Sequence, residues 1–260
     1  ASGGSIQGTM KETGWPEGYG RRVLAEVDST NAEAGRIAND LSGPEWILAL
    51  RQTAARGRRG RVWANPEGNF AATLVLRPKE RPETVALRSF VAALALFDAL
   101  VAATGRAECF SLKWPNDVLL NGGKLAGILL ESAGKGGQTA YLVIGIGVNL
   151  LYAPGAEEVE ARAMRPVSLL SETGVRVTPE EFLDLLAPAY ARLERQFTTY
   201  GFAPIRTAWL DRAARLGEVI TARTGTSEIT GTFETVDEAG NLVLLTRDTR
   251  QAIPAAEIFF

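Results

Sequence analysis

The chain has 260 residues and a formal net charge of −2, with 46% hydrophobic and 22% charged residues. These values predict a globular protein with one large domain, or with one domain and a small appendage, and they exclude a globally basic, nucleic-acid-coating surface. The sequence contains no histidine and a single cysteine, Cys109. The lack of histidine excludes Ser-His-Asp and Cys-His mechanisms. The single cysteine excludes an intramolecular disulfide and a cysteine zinc site, and it is compatible with the cytoplasm.

The first part of the chain predicts helices and strands in alternation. Residues 1–20 are interpreted as a leader or N-terminal segment, because the opening ASGGS is typical of a flexible leader. Asp28 to Asn31 offer cap residues before a helix over AEAGRIANDL, and EWILAL and NFAATLVLRP predict strands. Residues 82–104 predict one long apolar helix that ends at Gly105, and the apolar run FVAALALF within it is too short to cross a bilayer.

The second part predicts hairpins, a helix and a terminal β unit. CFSLKWPNDVLLNGGKLAGILLES predicts strand, loop, strand, a tight turn at Asn121-Gly122 and a further strand, and TAYLVIGIGVNLL predicts a buried strand. Thr178 and Glu181 form a capping box for the next helix. From about Leu216, short alternating segments with glycine turns predict a small β-barrel. Because no βαβ rhythm is present, the fold class is α+β, with a mixed or antiparallel sheet and flanking helices.

The stretch RQTAARGRRGRVW (51–63) begins with Arg51 and contains four more arginines, at positions 56, 58, 59 and 61, around glycines at 57 and 60. Glycine lets a loop approach a ligand closely, and guanidinium groups bind phosphate or carboxylate in a bidentate manner. From these residues alone, four interpretations stay open: a solvated basic loop, a nucleic-acid contact, an acidic protein surface, or the phosphates of a nucleotide.

Three more motifs give weaker signals. Asp117 in KWPND (113–117) offers a carboxylate at a strand end, which suits Mg²⁺, although such letters are most often a simple turn. Lys124 follows a tight turn and would project a charge into a neighbouring cleft, with a solvated lysine as the alternative. GIGVN (145–149) permits close backbone approach but lacks the third glycine of a dinucleotide fingerprint, and the sequence contains no P-loop.

In combination and in this order, the motifs resemble those of the biotin protein ligases. The resemblance runs from about Val27 to the end of the sequence, and its motifs are STN at 29–31, QTAARGRRGRVW at 52–63, KWPND at 113–117, GGKLAGIL at 122–129 and GIGVN at 145–149. It implies a catalytic domain over 21–214 that is similar to class II aminoacyl-tRNA synthetases, and an SH3-like β-barrel domain over 215–260.

The resemblance also implies an enzyme with a two-step reaction. Biotin and ATP, with Mg²⁺, would give biotinyl-5′-AMP and pyrophosphate. A lysine of a biotin carboxyl carrier protein domain, in a biotin-dependent carboxylase such as acetyl-CoA carboxylase, would then take the biotinyl group. No covalent enzyme intermediate is needed, which is compatible with a chain without histidine, since activation of this kind depends on positioning and charge stabilisation.

Residues that match the family motifs receive roles by resemblance. Lys124 and Arg58 are expected to be catalytic, and Asp117 is expected to contact Mg²⁺. The residues expected to bind biotin are Ser29, Thr30, Asn31, Gln52, Arg56, Gly57, Arg58, Lys124, Gly127, Gly145 and Gly147. The residues expected to bind ATP are Arg58, Arg61, Trp63, Asn116, Asn149 and Lys124.

Two departures from the family pattern carry expectations of their own. The family usually has glycine where this chain has Ala55, and the extra methyl group is expected to reshape the start of the loop. The DSTN stretch begins at Asp28, which predicts a short form without the N-terminal DNA-binding domain, and therefore no DNA partner and no repressor function. A cytoplasmic location, no membrane association and a homodimer through the main sheet are further expectations.

Three rival interpretations compete with this one. A lipoate–protein ligase shares the fold and the adenylate chemistry but not the paired RGRRGR and KWPND motifs. An octanoyltransferase needs a catalytic cysteine, and Cys109 lies outside any matching motif. A nucleic-acid-binding module that uses the arginine loop belongs to a different class, and the net charge of −2 without a second basic stripe argues against it.

Overall fold

The structure is a computed structural model that describes residues 14–63, 65–155 and 162–260. Within these residues, a large sheet flanked by helices is followed by a smaller sheet. The strands are β1 (Gly20–Leu24), β2 (Glu45–Ala49), β3 (Phe70–Leu76), β4 (Phe110–Lys113), β5 (Asp117–Leu120), β6 (Gly123–Lys135), β7 (Gln138–Val148), β8 (Val219–Thr224), β9 (Ser227–Val236), β10 (Leu242–Leu245), β11 (Arg250–Ile253) and β12 (Glu257–Phe259). The α-helices are α1 (Thr30–Ile37), α2 (Pro82–Val85), α3 (Arg88–Thr104), α4 (Leu169–Thr173), α5 (Pro179–Tyr200) and α6 (Phe202–Leu210).

The large sheet has the strand order β1-β2-β3-β7-β6-β5-β4. β1 and β2 are parallel, and the other neighbouring pairs are antiparallel. The predicted mixed sheet and the α+β class are therefore confirmed. The sequence does not predict β1, because the letters GRRVL lack a clear alternation and the strand forms by pairing with β2 at the edge of the sheet.

The two faces of the large sheet bury different partners. One face packs against α3 and α5 in the main core, where Leu74 and Ile144 are fully buried. The other face packs against α1 through Ala34 and Val75. Because successive residues of a strand point to opposite faces, β3 and β7 contribute side chains to both layers. The alternation places Gly145 of β7 on the α1 face, where the candidate site lies.

The predicted helix over 82–104 ends at Gly105 as expected, but it is not continuous, because a turn at residues 86–87 separates α2 from α3. Around this turn, Leu87 N donates to Thr84 O and Phe90 N donates to Leu87 O, both at 3.1 Å, so the backbone tightens to bonds three residues apart. By length and composition, Pro82–Thr104 could cross a membrane. An 18-residue window within it has a mean hydropathy of 2.0, but 78% of that window is buried inside the protein. The segment is the central helical layer of the main core.

The described part of the predicted leader is built into the fold. Residues 1–13 of the predicted 1–20 segment lie outside the described residues. Trp15 and Tyr19 contact the main core, and Trp15 Nε1 donates to Tyr19 O at 2.6 Å. The Arg21 guanidinium lies over the Trp15 ring, 4.8 Å from its centroid.

The small sheet is antiparallel throughout and has the strand order β11-β10-β9-β8-β12. The predicted terminal β unit is therefore confirmed, while the boundary at residues 214 and 215 stays a prediction. Trp114 of the KWPND motif donates through Nε1 to Gly240 O, at 3.1 Å, and so joins the large sheet to the turn before β10. Arg206 of α6 donates to Val236 O at 2.5 Å and makes a second connection.

Two helices are missing from the sequence prediction. α4 has five residues, and Ser168 caps it by accepting from Ser171 N at 3.1 Å. α6 follows α5 at once after Gly201, whose φ of 80° lies in the region that favours glycine. Only Ile205 and Trp209 of α6 are buried, and a helix of nine residues is too short to give a clear periodicity in the sequence.

Candidate active site

A cavity of about 400 Å³ lies on the α1 face of the large sheet. The N-terminus of α1, the arginine loop (52–63) and strands β6 and β7 line it. Every residue predicted to bind biotin lines this cavity: Ser29, Thr30, Asn31, Gln52, Arg56, Gly57, Arg58, Lys124, Gly127, Gly145 and Gly147. Trp63, Asp117 and Ala55 line it as well, whereas Arg61, Asn116 and Asn149 do not.

Glycines on two adjacent strands form the floor of the cavity. Gly127 of β6 and Gly147 of β7 are cross-strand partners. A methyl group at Gly147 would lie 2.8 Å from Trp63 Nε1, and one at Gly127 would lie 3.3 Å from the Trp63 ring. The indole therefore rests on bare backbone. Its position is also fixed by the main chain, because Trp63 N donates to Ala55 O at 3.1 Å.

The start of α1 lies in the wall of the cavity. The helix begins at Thr30, two residues before the predicted AEAGRIANDL segment, and the Ser29 hydroxyl caps it by accepting from Ala32 N at 3.0 Å. Thr30 N donates to Gln52 Oε1 at 2.8 Å, which ties the helix to the arginine loop. A methyl group at Gly145 would lie 2.4 Å from Asn31 Oδ1, so Asn31 packs directly on the backbone of β7.

Two residues outside the sequence motifs hold this corner of the cavity in place. The Thr73 hydroxyl oxygen lies 2.6 Å from Asn31 Oδ1 and 2.7 Å from Thr30 Oγ1. Glu131 Oε1 accepts from Asn31 Nδ2 at 2.9 Å. Thr73 is the single polar residue in the buried strand FAATLVL, and that contrast is a signal that the sequence offers. Glu131 is exposed and carries no comparable signal.

The arginine loop folds back on itself. Gly57 N donates to Arg61 O at 2.7 Å and closes the loop. The tip adopts a left-handed backbone, with φ values of 58° at Arg59 and 67° at Gly60, which explains the need for glycine at the second of these positions. The glycines of the motif therefore shape the turn that separates its arginines.

The arginines of the loop divide into two pairs. Arg56 and Arg58 line the cavity, and in the described part of the chain neither forms an ion pair. Arg59 and Arg61 donate to Glu257 Oε1 of β12, at 3.0 Å and 2.5 Å. The loop thus turns two cations towards the cavity and anchors two on the small sheet.

Glu257 is a buried carboxylate with three arginine partners. The third is Arg223 of β8, at 2.5 Å, and Glu257 is only 8% exposed. Burial acts to raise the pKa of the Glu257 carboxyl, but the guanidinium groups of Arg223 and Arg61 outweigh it and hold the pKa below its usual 4.5. The sequence motifs miss Glu257, because the contact joins residues from opposite ends of the chain.

Lys124, the predicted catalytic lysine, lies near the start of β6 between a carboxylate and an aromatic ring. Its Nζ is 3.3 Å from Asp117 Oδ1 and 5.3 Å from the centroid of the Trp63 ring. The Asp117 side chain is 9% exposed and that of Lys124 is 32% exposed. A buried carboxylate next to a more accessible ammonium holds the cation in place while leaving it open to a ligand.

Lys113 of the KWPND motif adds to the positive charge near the site, and sequence reasoning assigned it no role. Burial lowers the pKa of the Lys113 ammonium; Asp117 opposes that shift, and the positive charges of Lys124 and Arg58 add to it. Lys113, Lys124 and Arg58 thus place three cations near the Asp117 carboxylate, which suits an anionic ligand.

The described residues do not form a resident metal site. They contain no group of three or more His, Cys, Asp or Glu side chains that could hold a metal ion. Asp117, the predicted Mg²⁺ contact, has an ammonium group as its neighbour at 3.3 Å. A single carboxylate fits Mg²⁺ only where substrate phosphates supply further oxygens. The predicted metal role of Asp117 stays a prediction.

Asn116 and Asn149 lie outside the cavity lining but share one feature. The side-chain oxygen of each is buried and has no hydrogen-bond partner among the described residues. Asn149 Nδ2 donates to Val167 O at 3.1 Å, which fixes the orientation of that carboxamide. A buried acceptor without a donor costs free energy, so both positions suit a donor group of a ligand.

Comparison with known proteins places this arrangement in a family. Residues 22–149 match the model of the biotin/lipoate A/B protein ligase family, and residues 216–260 match that of the biotin protein ligase C-terminal domain. The biotin--[acetyl-CoA-carboxylase] ligase of Paracoccus denitrificans is 61% identical over 238 residues, which are 92% of this chain and 99% of that protein. The bifunctional ligase/repressor BirA of Bacillus subtilis is 31% identical over 235 residues, which are 89% of this chain and 71% of that protein.

A solved structure matches the whole fold. The biotin protein ligase from Aquifex aeolicus in complex with biotin and ATP aligns with a TM-score of 0.78 at 30% identity, over 92% of this chain and 97% of that chain. The chain therefore belongs to the biotin/lipoate A/B protein ligase family and, within it, to the biotin protein ligases. The predicted family and fold type are confirmed.

Proposed function

We propose that the cavity binds biotin beside the phosphates of ATP, and that the chain forms biotinyl-5′-AMP before it passes biotin to a lysine of a carrier protein. The observation that carries this proposal is the convergence on one cavity of every residue predicted to bind biotin, with Lys124, Arg56 and Arg58 among them. Lipoate ligation is not favoured, because the full-length relatives are biotin ligases.

In the first half-reaction, a carboxylate oxygen of biotin attacks the α-phosphorus of ATP, and pyrophosphate leaves. Both reactants are anions, so their approach requires fixed positive charge at the meeting point. The Lys124 ammonium, held by Asp117 at 3.3 Å, supplies one such charge, and Arg58 supplies another from the loop. No proton transfer is needed in this step, which suits a chain without histidine.

In the second half-reaction, the neutral ε-amine of the carrier lysine attacks the acyl carbon of biotinyl-AMP. An amide bond forms, the bond between the acyl carbon and the phosphate oxygen breaks, AMP leaves, and the amine loses one proton. Between the two steps the mixed anhydride must be kept from water. Arg56 and Arg58 hold it in the cavity, and the folded loop shields it until the carrier arrives.

The nucleotide base lies beyond the cavity in this proposal. Trp63 offers an aromatic surface, and the unpartnered buried oxygens of Asn116 and Asn149 suit the amino group of adenine. Arg61 would contact the nucleotide from its anchored position on Glu257. Mg²⁺ enters with the triphosphate as part of the substrate, with Asp117 as its proposed carboxylate contact.

The acceptor is proposed to be the biotin carboxyl carrier protein domain of a biotin-dependent carboxylase, on the basis of the carboxylase ligase to which the chain is similar. A cytoplasmic location, the lack of a DNA partner, the lack of membrane association and a homodimer stay predictions. A size measurement in solution tests the homodimer, and a gel shift at varied salt concentration tests the lack of a DNA partner.

The experiment that tests the proposed function is calorimetric titration with biotin, followed by biotin with Mg-ATP and mass analysis of the bound ligand. Recovery of biotinyl-AMP is the expected result, and lipoate in place of biotin is the matched control. Binding of lipoate without binding of biotin contradicts the proposal. Addition of a purified carrier domain then tests the transfer of biotin to its lysine.

A further inference from the structure

Thr73 is a buried hydroxyl at the centre of an apolar strand. It is the middle residue of β3, whose seven residues are all buried, and its own exposure is 0%. In the sheet it pairs with Ile47 of β2 on one side and Gly145 of β7 on the other. A hydroxyl in such a place costs free energy unless it forms hydrogen bonds. Thr73 therefore has to be explained by what it contacts.

Both contacts of the Thr73 hydroxyl belong to the start of α1. Its oxygen lies 2.7 Å from Thr30 Oγ1 and 2.6 Å from Asn31 Oδ1. These two helix residues line the cavity, whereas Thr73 itself does not. The hydroxyl thus fixes two adjacent cavity residues to the sheet from behind.

The Asn31 carboxamide is held at both of its polar ends. Its oxygen lies against Thr73, and its nitrogen donates to Glu131 Oε1 at 2.9 Å and to Leu129 O at 3.4 Å. Loss of the Thr73 hydroxyl would leave the oxygen end without its buried partner. With Asn31 packed against the backbone of Gly145, the carboxamide would then be held through its nitrogen alone.

The arginine loop is connected to the same point. Thr30 N donates to Gln52 Oε1 at 2.8 Å, and Gln52 also lines the cavity. A shift of Thr30 would therefore move the Gln52 side chain as well. The Thr73 hydroxyl thus helps to position three residues that line the cavity, namely Thr30, Asn31 and Gln52.

We propose that Thr73 is a positioning residue for the biotin pocket. It acts through Thr30 and Asn31, and it sets the affinity for biotin without contacting biotin or ATP. The inference rests on the proposed function, because it assigns this corner of the cavity to biotin. It specifies a hydrogen-bonding position that a valine of the same shape cannot replace.

The test compares Thr73→Val with Thr73→Ser in the full chain. Valine keeps the shape and removes the hydroxyl, whereas serine keeps the hydroxyl and removes a methyl group. We expect Thr73→Val to raise the KM for biotin by about tenfold, with the KM for ATP and kcat within about twofold of the parent. Serine is expected to restore most of the biotin affinity. The matched control is Thr221→Val, which removes a Thr–Thr contact of 2.9 Å in the small sheet and is expected to leave the KM for biotin unchanged.

Two results would overturn the inference. One is a Thr73→Val enzyme with the parent KM for biotin; the other is a serine variant as impaired as the valine variant. If Thr73→Val does not fold, Thr73→Ala and Thr73→Ser differ only in the hydroxyl and carry the same comparison. A parent chain that fails to bind biotin would instead contradict the proposed function, so the two failures are distinguishable.

Discussion

The Oε1 of Glu257, in the last strand, lies 2.5 Å from Nη2 of Arg61 in the arginine loop. An ion pair therefore holds the loop that borders the cavity against the small sheet. The same carboxylate also binds Arg59 and Arg223. It is a buried anion shared by three cations, and two of those cations come from the other sheet's loop. The small sheet therefore contributes to the site through the loop, and the loop is not a free basic segment.

Replacement of Glu257 by glutamine is expected to weaken the attachment of the arginine loop to the small sheet. Glu257→Gln should lower the free energy of unfolding by about 1–3 kcal/mol, because charge-assisted hydrogen bonds of a buried group are lost. It should also raise the KM for ATP several-fold, since Arg61 loses its anchor. Thermal melts and adenylate-formation kinetics measure the two effects. Glu228→Gln is the control: its ion pair with Arg162 has the same 2.5 Å length but is 43% and 50% exposed, so little change is expected.

The same carboxylate predicts a pH dependence. The pKa of Glu257 is lower in the folded state than its usual 4.5, so its contribution to stability is full above 4.5 and is lost as the pH falls through the lower folded value. The difference in Tm between the parent and Glu257→Gln should therefore be constant near neutral pH and shrink below 4.5. Melts across this range measure it. A difference that grows on acidification would mean that the arginines do not hold the carboxylate charged.

Arg58→Gly is expected to release biotinyl-AMP prematurely. Arg58 faces the cavity, and its loss removes a bidentate partner for the phosphate while leaving the loop closed by Gly57 and Arg61. Release of the adenylate should be about tenfold faster or more, with biotin appearing on proteins other than the carrier. Filter-binding and blotting for biotin measure these outcomes. The control is Arg51→Gly, because the Arg51 side chain pairs with Glu26 outside the cavity, at 3.1 Å. This variant should retain the adenylate. Equal retention by the Arg58 and Arg51 variants would refute the role of the loop.

Gly145→Ala is expected to weaken biotin binding. The new methyl group would lie 2.4 Å from Asn31 Oδ1, and the carboxamide is held too firmly by Thr73 and Glu131 to yield without cost. A loss of about 1–3 kcal/mol in stability is expected, with a higher KM for biotin. Gly35→Ala in α1 is the control, because its nearest contact would be 3.6 Å away and alanine favours a helix by up to about 1 kcal/mol. Calorimetric binding of biotin to both variants separates crowding of the site from a general effect of alanine.

Lys124→Gln is expected to slow adenylate formation by about 10²–10³-fold, because a fixed charge is lost where the two anions meet. Asp117→Asn should have a smaller effect, since the ammonium remains and only its neighbour at 3.3 Å changes. Single-turnover formation of biotinyl-AMP measures both. A titration with Mg²⁺ distinguishes the roles of Asp117: an unchanged Mg²⁺ requirement in Asp117→Asn indicates positioning of Lys124, and a raised requirement indicates a metal contact.

Local signals in the sequence predicted the elements that depend on few residues. The Asn121-Gly122 turn is confirmed, with φ values of 49° and 79° in a two-residue connection between β5 and β6. The Thr178–Glu181 capping box is confirmed as well, with both reciprocal hydrogen bonds present. In each case the residues that cause the structure are adjacent in the sequence, so no tertiary information is needed.

The parts that sequence reasoning missed depend on distant partners. β1 forms because β2 pairs with it, and Glu257 becomes part of the site because the fold brings it to a loop near the other end of the chain. Thr73 differs, because a lone polar residue in an apolar strand is visible in the sequence. Its role is visible only once Asn31 and Thr30 are seen to reach it.

Strand β7 joins the ligand cavity to the hydrophobic core within a few residues. Gly145 and Gly147 line the cavity, while Ile144 and Val148, which alternate with them, are fully buried in the main core. A shift of this strand by one residue would turn Ile144 or Val148 towards the cavity and leave voids in the core where their side chains had packed. A chain that folds in the wrong register would therefore lose both its ligand and its stability, so retention of ligand is itself a check that the sheet has been assembled correctly.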